Sequence, residues 1–193
     1  DIVFAPWTNT VFINSESTGT VKEYTMQGEL TGRELEIPAH MKFDRQSPNG
    51  GFEALACDTA NHTFWLTTEN NLKADSLITD ANGKKHQQLR IIQFNENLKS
   101  ANQWLYIMEE PLLSAKAKYY THGVPAITSL PDGRLLVLER ELSIPPHYIG
   151  SKSKLRIFAV NPQESKPGTP LTKREITSFT THMQFGLLNY ANY

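Results

Sequence analysis

Short apolar runs rich in Val, Ile, Leu, Phe, Trp, Tyr and Thr punctuate the chain, and clusters of Gly, Pro, Asn and Asp separate them. That pattern belongs to β-strands joined by turns. Apolar residues at i, i+3, i+4 and i+7 are scarce, and only 110–120 offers a short helical candidate. The runs group in fours. Unit one comprises 2–5, 10–16, 20–26 and 33–37; unit two 52–57, 63–69, 89–95 and 103–108; unit three 124–130, 134–139, 155–160 and 174–179. The second run of each unit ends on a glutamate: Glu16, Glu69 and Glu139. Dipeptides suited to tight turns, Gln27-Gly28, Asn82-Gly83 and Asp132-Gly133, lie between runs.

Four-stranded units in series predict an all-β, propeller-like fold with blades at about 1–45, 49–113 and 122–184. Segments 127–130 and 135–138 carry apolar residues on both faces, as blades packed between blades require. A β-sandwich or β-helix built from similar hairpins is the alternative. The propeller is favoured because the unit repeats in fours and is far longer than a β-helix rung. Propellers close with roughly four to eight blades. Three blades therefore predict part of a longer, truncated propeller, completed by missing blades of the same protein or by a second copy. Segment 185–193 reads as the start of a further blade.

The glutamates carry the candidate chemistry. If the unit-two hairpin turns about Asn61, Glu53 at the start of one strand faces Glu69 at the end of the next, with Cβ atoms about 4.5–5.5 Å apart. In unit three Pro125 occupies the position opposite Glu139, and the partner of Glu16 would lie before Asp1. Two carboxylates so close either share a proton, as a general acid–base pair does, or hold a hard cation, calcium being the natural occupant. The structural reading of each glutamate is a strand-end residue that bonds neighbouring backbone or pairs with Arg140.

Composition narrows the partners. With 19 basic and 20 acidic residues the formal charge is −1, which gives no reason to expect nucleic acid or an anionic membrane. No apolar stretch approaches a membrane span. The single cysteine, Cys57, excludes an internal disulfide. There is no Gly-x-Ser-x-Gly elbow and no His-Glu-x-x-His pair among the histidines. Loop residues Lys84, Lys85, His86, Lys116, Lys118, Lys152 and Lys154 admit a phosphate-cradle reading, although solvated lysines explain them more simply. Asn61-His62-Thr63 is a glycosylation sequon that matters only in a eukaryotic secretory pathway.

Two segments carry a family resemblance. Asn49-Gly-Gly-Phe-Glu-Ala-Leu-Ala56, followed by Thr67-Thr-Glu69, resembles a hallmark of the "esterase-like activity of phytase" family; Leu130-Pro-Asp-Gly-Arg-Leu-Leu-Val-Leu-Glu-Arg140 resembles its second hallmark. The resemblance implies a propeller, an exported (periplasmic or secreted) protein and a hydrolase acting on phosphate esters; calcium as candidate cofactor comes from the paired carboxylates. It carries catalytic roles to Glu53, Glu69, Glu139 and Arg140 and a substrate-binding role to Asn49, while the metal-binding roles of Glu53 and Glu69 rest on their expected opposition across the hairpin. The competing expectation is a non-catalytic propeller that binds protein or glycan on its rim.

Overall fold

A computed structural model describes residues 1–42, 51–113 and 116–182. The fold is all-β apart from one helical turn, α1 (Ala39–Lys42), and one 3-10 turn at Pro162–Glu164. Three four-stranded antiparallel sheets follow one another along the chain. The first contains β1 (Ile2–Ala5), β2 (Thr10–Ser15), β3 (Thr20–Thr25) and β4 (Leu30–Glu34) in sequential order. The second contains β5 (Phe52–Asp58), β6 (Thr63–Thr68), β9 (Gln88–Phe94) and β10 (Ser100–Ile107); a small hairpin, β7 (Ile78–Thr79) with β8 (Lys85–His86), is inserted between its second and third strands. The third contains β11 (Tyr119–Ser129), β12 (Leu135–Ile144), β13 (Lys152–Val160) and β14 (Lys173–His182). No closed ring is formed among the described residues. Segments 43–50 and 185–193 lie outside them.

The sheets stack face to face, and β5 packs between β1 and β11. Alternation along β5 and β6 explains how one sheet fills two cores. Leu55, Phe64 and Leu66 join Phe12 and Val21 of the first sheet, whereas Ala54, Ala56 and Trp65 join Val124, Leu135 and Val137 of the third. The middle sheet is thus apolar on both faces, as a layer buried between two neighbours must be. Each large side chain so buried contributes about 1.5–3 kcal/mol relative to exposure.

Three expectations need correction. The fourth strand of unit one is Leu30–Glu34, not 33–37. The turn closed by Gly28 N–H to the Thr25 carbonyl (2.9 Å) starts the strand at once, and its residues are all exposed. Leu35 and Ile37, which suggested a strand, are instead buried in the first core. No helix occupies the described part of 110–120, where β11 already begins at Tyr119. Nor does β12 end at Glu139, since it continues to Ile144.

Candidate functional site

The site grows from a β-bulge. Residues of β5 and β6 pair from Asp58↔Thr63 to Ala54↔Thr67, then the register shifts to Phe52↔Thr68, leaving Glu53 without a cross-strand partner. A bulged residue bends its strand and redirects its side chain. The phase change is visible in the packing: Phe52 lies in the core with Leu55, although strict alternation would place it with Ala54. The expected opposition of Glu53 and Glu69 is therefore incorrect. Glu69 N–H donates instead to the Gly51 carbonyl at 2.8 Å. The loop holds four residues, 59–62, with His62 at φ 51°, so the hairpin is not centred on Asn61.

The third sheet repeats the bulge with different chemistry. Gly123 pairs with Arg140 and Ala126 with Leu138, so Val124 and Pro125 together oppose Glu139. Gly51-Phe52-Glu53-Ala54 thus corresponds to Gly123-Val124-Pro125-Ala126, and Glu69 corresponds to Arg140. In the first sheet Ala5 pairs with Thr10, as Asp58 does with Thr63, which makes Glu16 the counterpart of Glu69. Aligning all three units on glutamate is incorrect at the third. Its hairpin loop, closed by Leu130 N–H to the Arg134 carbonyl, is one residue shorter, and the shift brings arginine to the equivalent point.

These counterparts converge. Arg140 Nη2 donates to Glu69 Oε1 at 3.0 Å, with the two side chains 15% and 6% exposed. Gly123 is pressed on Glu69: a Cβ there would lie 2.5 Å from Glu69 Cγ and 2.7 Å from its carbonyl oxygen. Val124 N–H donates to that same carbonyl at 2.9 Å. Glu16 Oε1 accepts from Gly51 N–H at 3.1 Å, and Asn14 Nδ2 donates to the Phe52 carbonyl at 2.6 Å. A cavity of about 370 Å³ opens here, lined by Asn14, Glu16, Phe52, Glu53, Pro125 and Arg140. Burial first, then the fields of Glu69 and Glu16, push the Glu53 carboxyl up to about 7, with Arg140 pulling the other way. Burial also raises Glu69, against the charge and hydrogen bond of Arg140. Glu53 is consequently an acid able to give and take a proton near neutrality, beside a fixed guanidinium.

A family described as phytase-like, with esterase-like activity of phytase, matches residues 1–190. The chain belongs to this family. No curated protein and no solved structure matches it.

Within this phytase-like chain the expected site residues divide. Glu53, Glu69 and Arg140 come together. Glu139 does not, because it neighbours Arg140 on a strand and successive side chains point to opposite faces. Its carboxylate, 1% exposed, accepts from Tyr106 Oη (2.8 Å), Glu109 N–H (3.1 and 3.2 Å), Lys173 Nζ (2.8 Å) and Arg156 Nη2 (3.4 Å). That network clasps the second sheet to the third. Asn49 lies outside the described residues. Asn14 is the site residue that sequence reasoning passed over, and Glu16, expected to find its partner before Asp1, instead joins this site through the Gly51 N–H; the repeated Gly-x-x-Ala at 51–54 and 123–126 was the signal that fixes the register. A separate group, Asp80, His86 and Glu110, brings three potential metal ligands within 4.8 Å of one another. Lys84 Nζ already meets Glu110 there at 2.6 Å. Glu53 is not part of it.

Proposed function

We propose that this phytase-like chain hydrolyses phosphate esters in the cavity at the Glu53 bulge, and that its three sheets are consecutive blades of a propeller whose first strands line the axis. The observation that carries the reading is an acid raised to about 7 on the wall of an open cavity that Arg140 also lines. Perturbed acids in clefts are candidates for proton transfer. Protonated Glu53 adds no negative charge against an anionic phosphoryl group. It donates its proton to the leaving alkoxide oxygen as the P–O ester bond breaks, while a water oxygen forms the new bond to phosphorus and gives its proton to bulk water, from which Glu53 is reprotonated. Arg140 holds the phosphoryl oxygens, and Glu69 positions Arg140 from behind.

The cavity residues also fit a hard cation. Asn14 is 7% exposed, and its Oδ1 has no hydrogen-bond partner among the described residues. Beside it stands the carboxylate of Glu16, an oxygen donor suited to calcium. Asn14 and Glu16 would hold the ion, with Glu69 engaged by Arg140 and Glu53 outside the ligand set so that it keeps the proton it donates. A calcium ion there would supply Lewis-acid polarisation of phosphoryl oxygens. Export from the cytoplasm belongs to the same proposal and rests on family membership. No helix among the described residues is long and apolar enough to cross a membrane.

The rival reading is a non-catalytic binding module. It is favoured by the use of Glu69–Arg140 and Glu139 to tie sheets together. Phosphate release from p-nitrophenyl phosphate and from a polyol phosphate separates the two readings. Hydrolysis that Glu53→Gln abolishes supports the hydrolase; equal rates in Glu53→Gln and the parent protein would overturn the assignment.

A further inference from the structure

A second cavity, of about 360 Å³, lies at the opposite end of β5, where Asp58 and Asn61 form the turn into β6. Five residues separate Glu53 from Asp58, about 17 Å of strand. This volume is at the small end of ordinary small-molecule sites, roughly 300–1,000 Å³. Its floor is aromatic: the Trp65 and Trp104 rings lie 5.5 Å apart and tilted by 40°. Its walls carry the side-chain amides of Asn61, Gln93, Asn102 and Gln163.

The polar groups sort into used and unused. Asp58 is the only ionisable residue in the lining, and its carboxylate is committed to the turn, accepting from Ala60 N–H (3.0 Å), Asn61 N–H (3.1 Å) and Asn61 Nδ2 (2.8 Å). Asn102 Nδ2 donates to Gln93 Oε1 at 3.2 Å. Trp104 Nε1 donates to the Ser165 carbonyl at 2.9 Å. Trp65 is different. It is 3% exposed, and its Nε1 has no hydrogen-bond partner among the described residues. A buried donor left unpaired costs about 1–3 kcal/mol, and here it lies beneath the ring surface that the cavity presents.

We propose that this cavity binds a short neutral saccharide. Side-chain amides donate and accept at once, as sugar hydroxyls do. The paired indoles offer an apolar floor against which a sugar face can pack. The lining has no cation for a phosphate and no uncommitted carboxylate for an amine. The site is formed between the second and third sheets, at the end away from Glu53, and rests on no part of the hydrolase reading.

The test is titration of the intact chain, followed by tryptophan fluorescence, with glucose, maltose, cellobiose, the neutral tripeptide Gly-Ser-Gly and inorganic phosphate. At least one saccharide should give a saturable change with a millimolar dissociation constant. Asn102→Ala and Gln163→Ala should each weaken it about five- to tenfold, as loss of one hydrogen bond does, and Glu53→Gln should leave it unchanged. Circular dichroism of each variant establishes that it is folded. The proposal is overturned if no saccharide saturates by about 100 mM, if only the peptide or phosphate saturates, or if the folded Asn102 and Gln163 variants bind as tightly as the parent.

Discussion

Glu53 on the edge strand β5 and Glu139 on the interior strand β12 belong to adjacent sheets, and they live under opposite conditions. Glu139 is almost fully buried, yet donors from Tyr106, Glu109, Arg156 and Lys173 surround it. Glu53 is only partly buried, but it sits at a bulge, lacks a cross-strand partner and feels Glu69 and Glu16. Burial by itself does not make a reactive acid. A carboxylate whose charge is matched by donors holds the fold together, whereas one that is desolvated with other carboxylates beside it keeps its proton to higher pH.

The largest expected effect separates the two residues by activity. Glu53→Gln should lower phosphate-ester hydrolysis about 10³-fold, the middle of the range for a lost general acid, without lowering the urea midpoint. Glu139→Ala should do the reverse of this to stability. It removes the acceptor shared by Tyr106, Arg156 and Lys173, leaves Lys173 to Glu109 and Arg156 to the Glu110 carbonyl, and should cost about 3 kcal/mol in urea unfolding. If Glu139→Ala is as stable as the parent, the clasp between the second and third sheets is not what the geometry says.

A smaller effect tests the support behind Arg140. Gly123→Ala forces a methyl group into Glu69, so it should cost about 1–3 kcal/mol and raise KM more than the other substitutions of β11. Thermal melting and Michaelis kinetics on one preparation read both. The pH dependence of stability sharpens the comparison further. The folded pKa of Glu53 lies above the ordinary value, near 7 against 4.5. Its contribution is therefore fully present below about 4.5 and lost as pH rises to about 7. Unfolding midpoints of the parent should fall across that window relative to Glu53→Gln, and the two curves should run parallel above it. The smallest effect comes from Pro125→Glu, which gives the third sheet the acid that the second has. With one more carboxylate on the cavity wall, Glu53 should titrate somewhat above 7.

Much of this was legible in the sequence. The four-strand units appear because turn residues and β-branched runs are local signals, and most strands begin and end within a few residues of expectation. The pairing of Glu53 with Glu69 failed for a reason that local patterns do not carry. A bulge and a four-residue loop each move the register by one, and one residue decides which side chain meets which. The same one-residue difference hid the equivalence of Arg140 with Glu69, because Leu-Glu139 looked like Thr-Glu69 when read along the chain. Asn14 was invisible as a site residue, since only the neighbouring sheet brings the Phe52 carbonyl to it. Leu35 and Ile37 misled for the opposite reason: apolar residues beyond a strand reach the core without belonging to the sheet.

Site-specific titration of Glu53 tests the central claim most directly. Carbon-13 NMR of the glutamate carboxyls in the parent protein, assigned by Glu53→Gln, follows its protonation without needing a substrate. A midpoint near 7, moving toward the ordinary value when calcium is added, is the result this account predicts. A midpoint near 4.5 with no calcium present would contradict it, and would leave the cavity without an acid that titrates near neutrality.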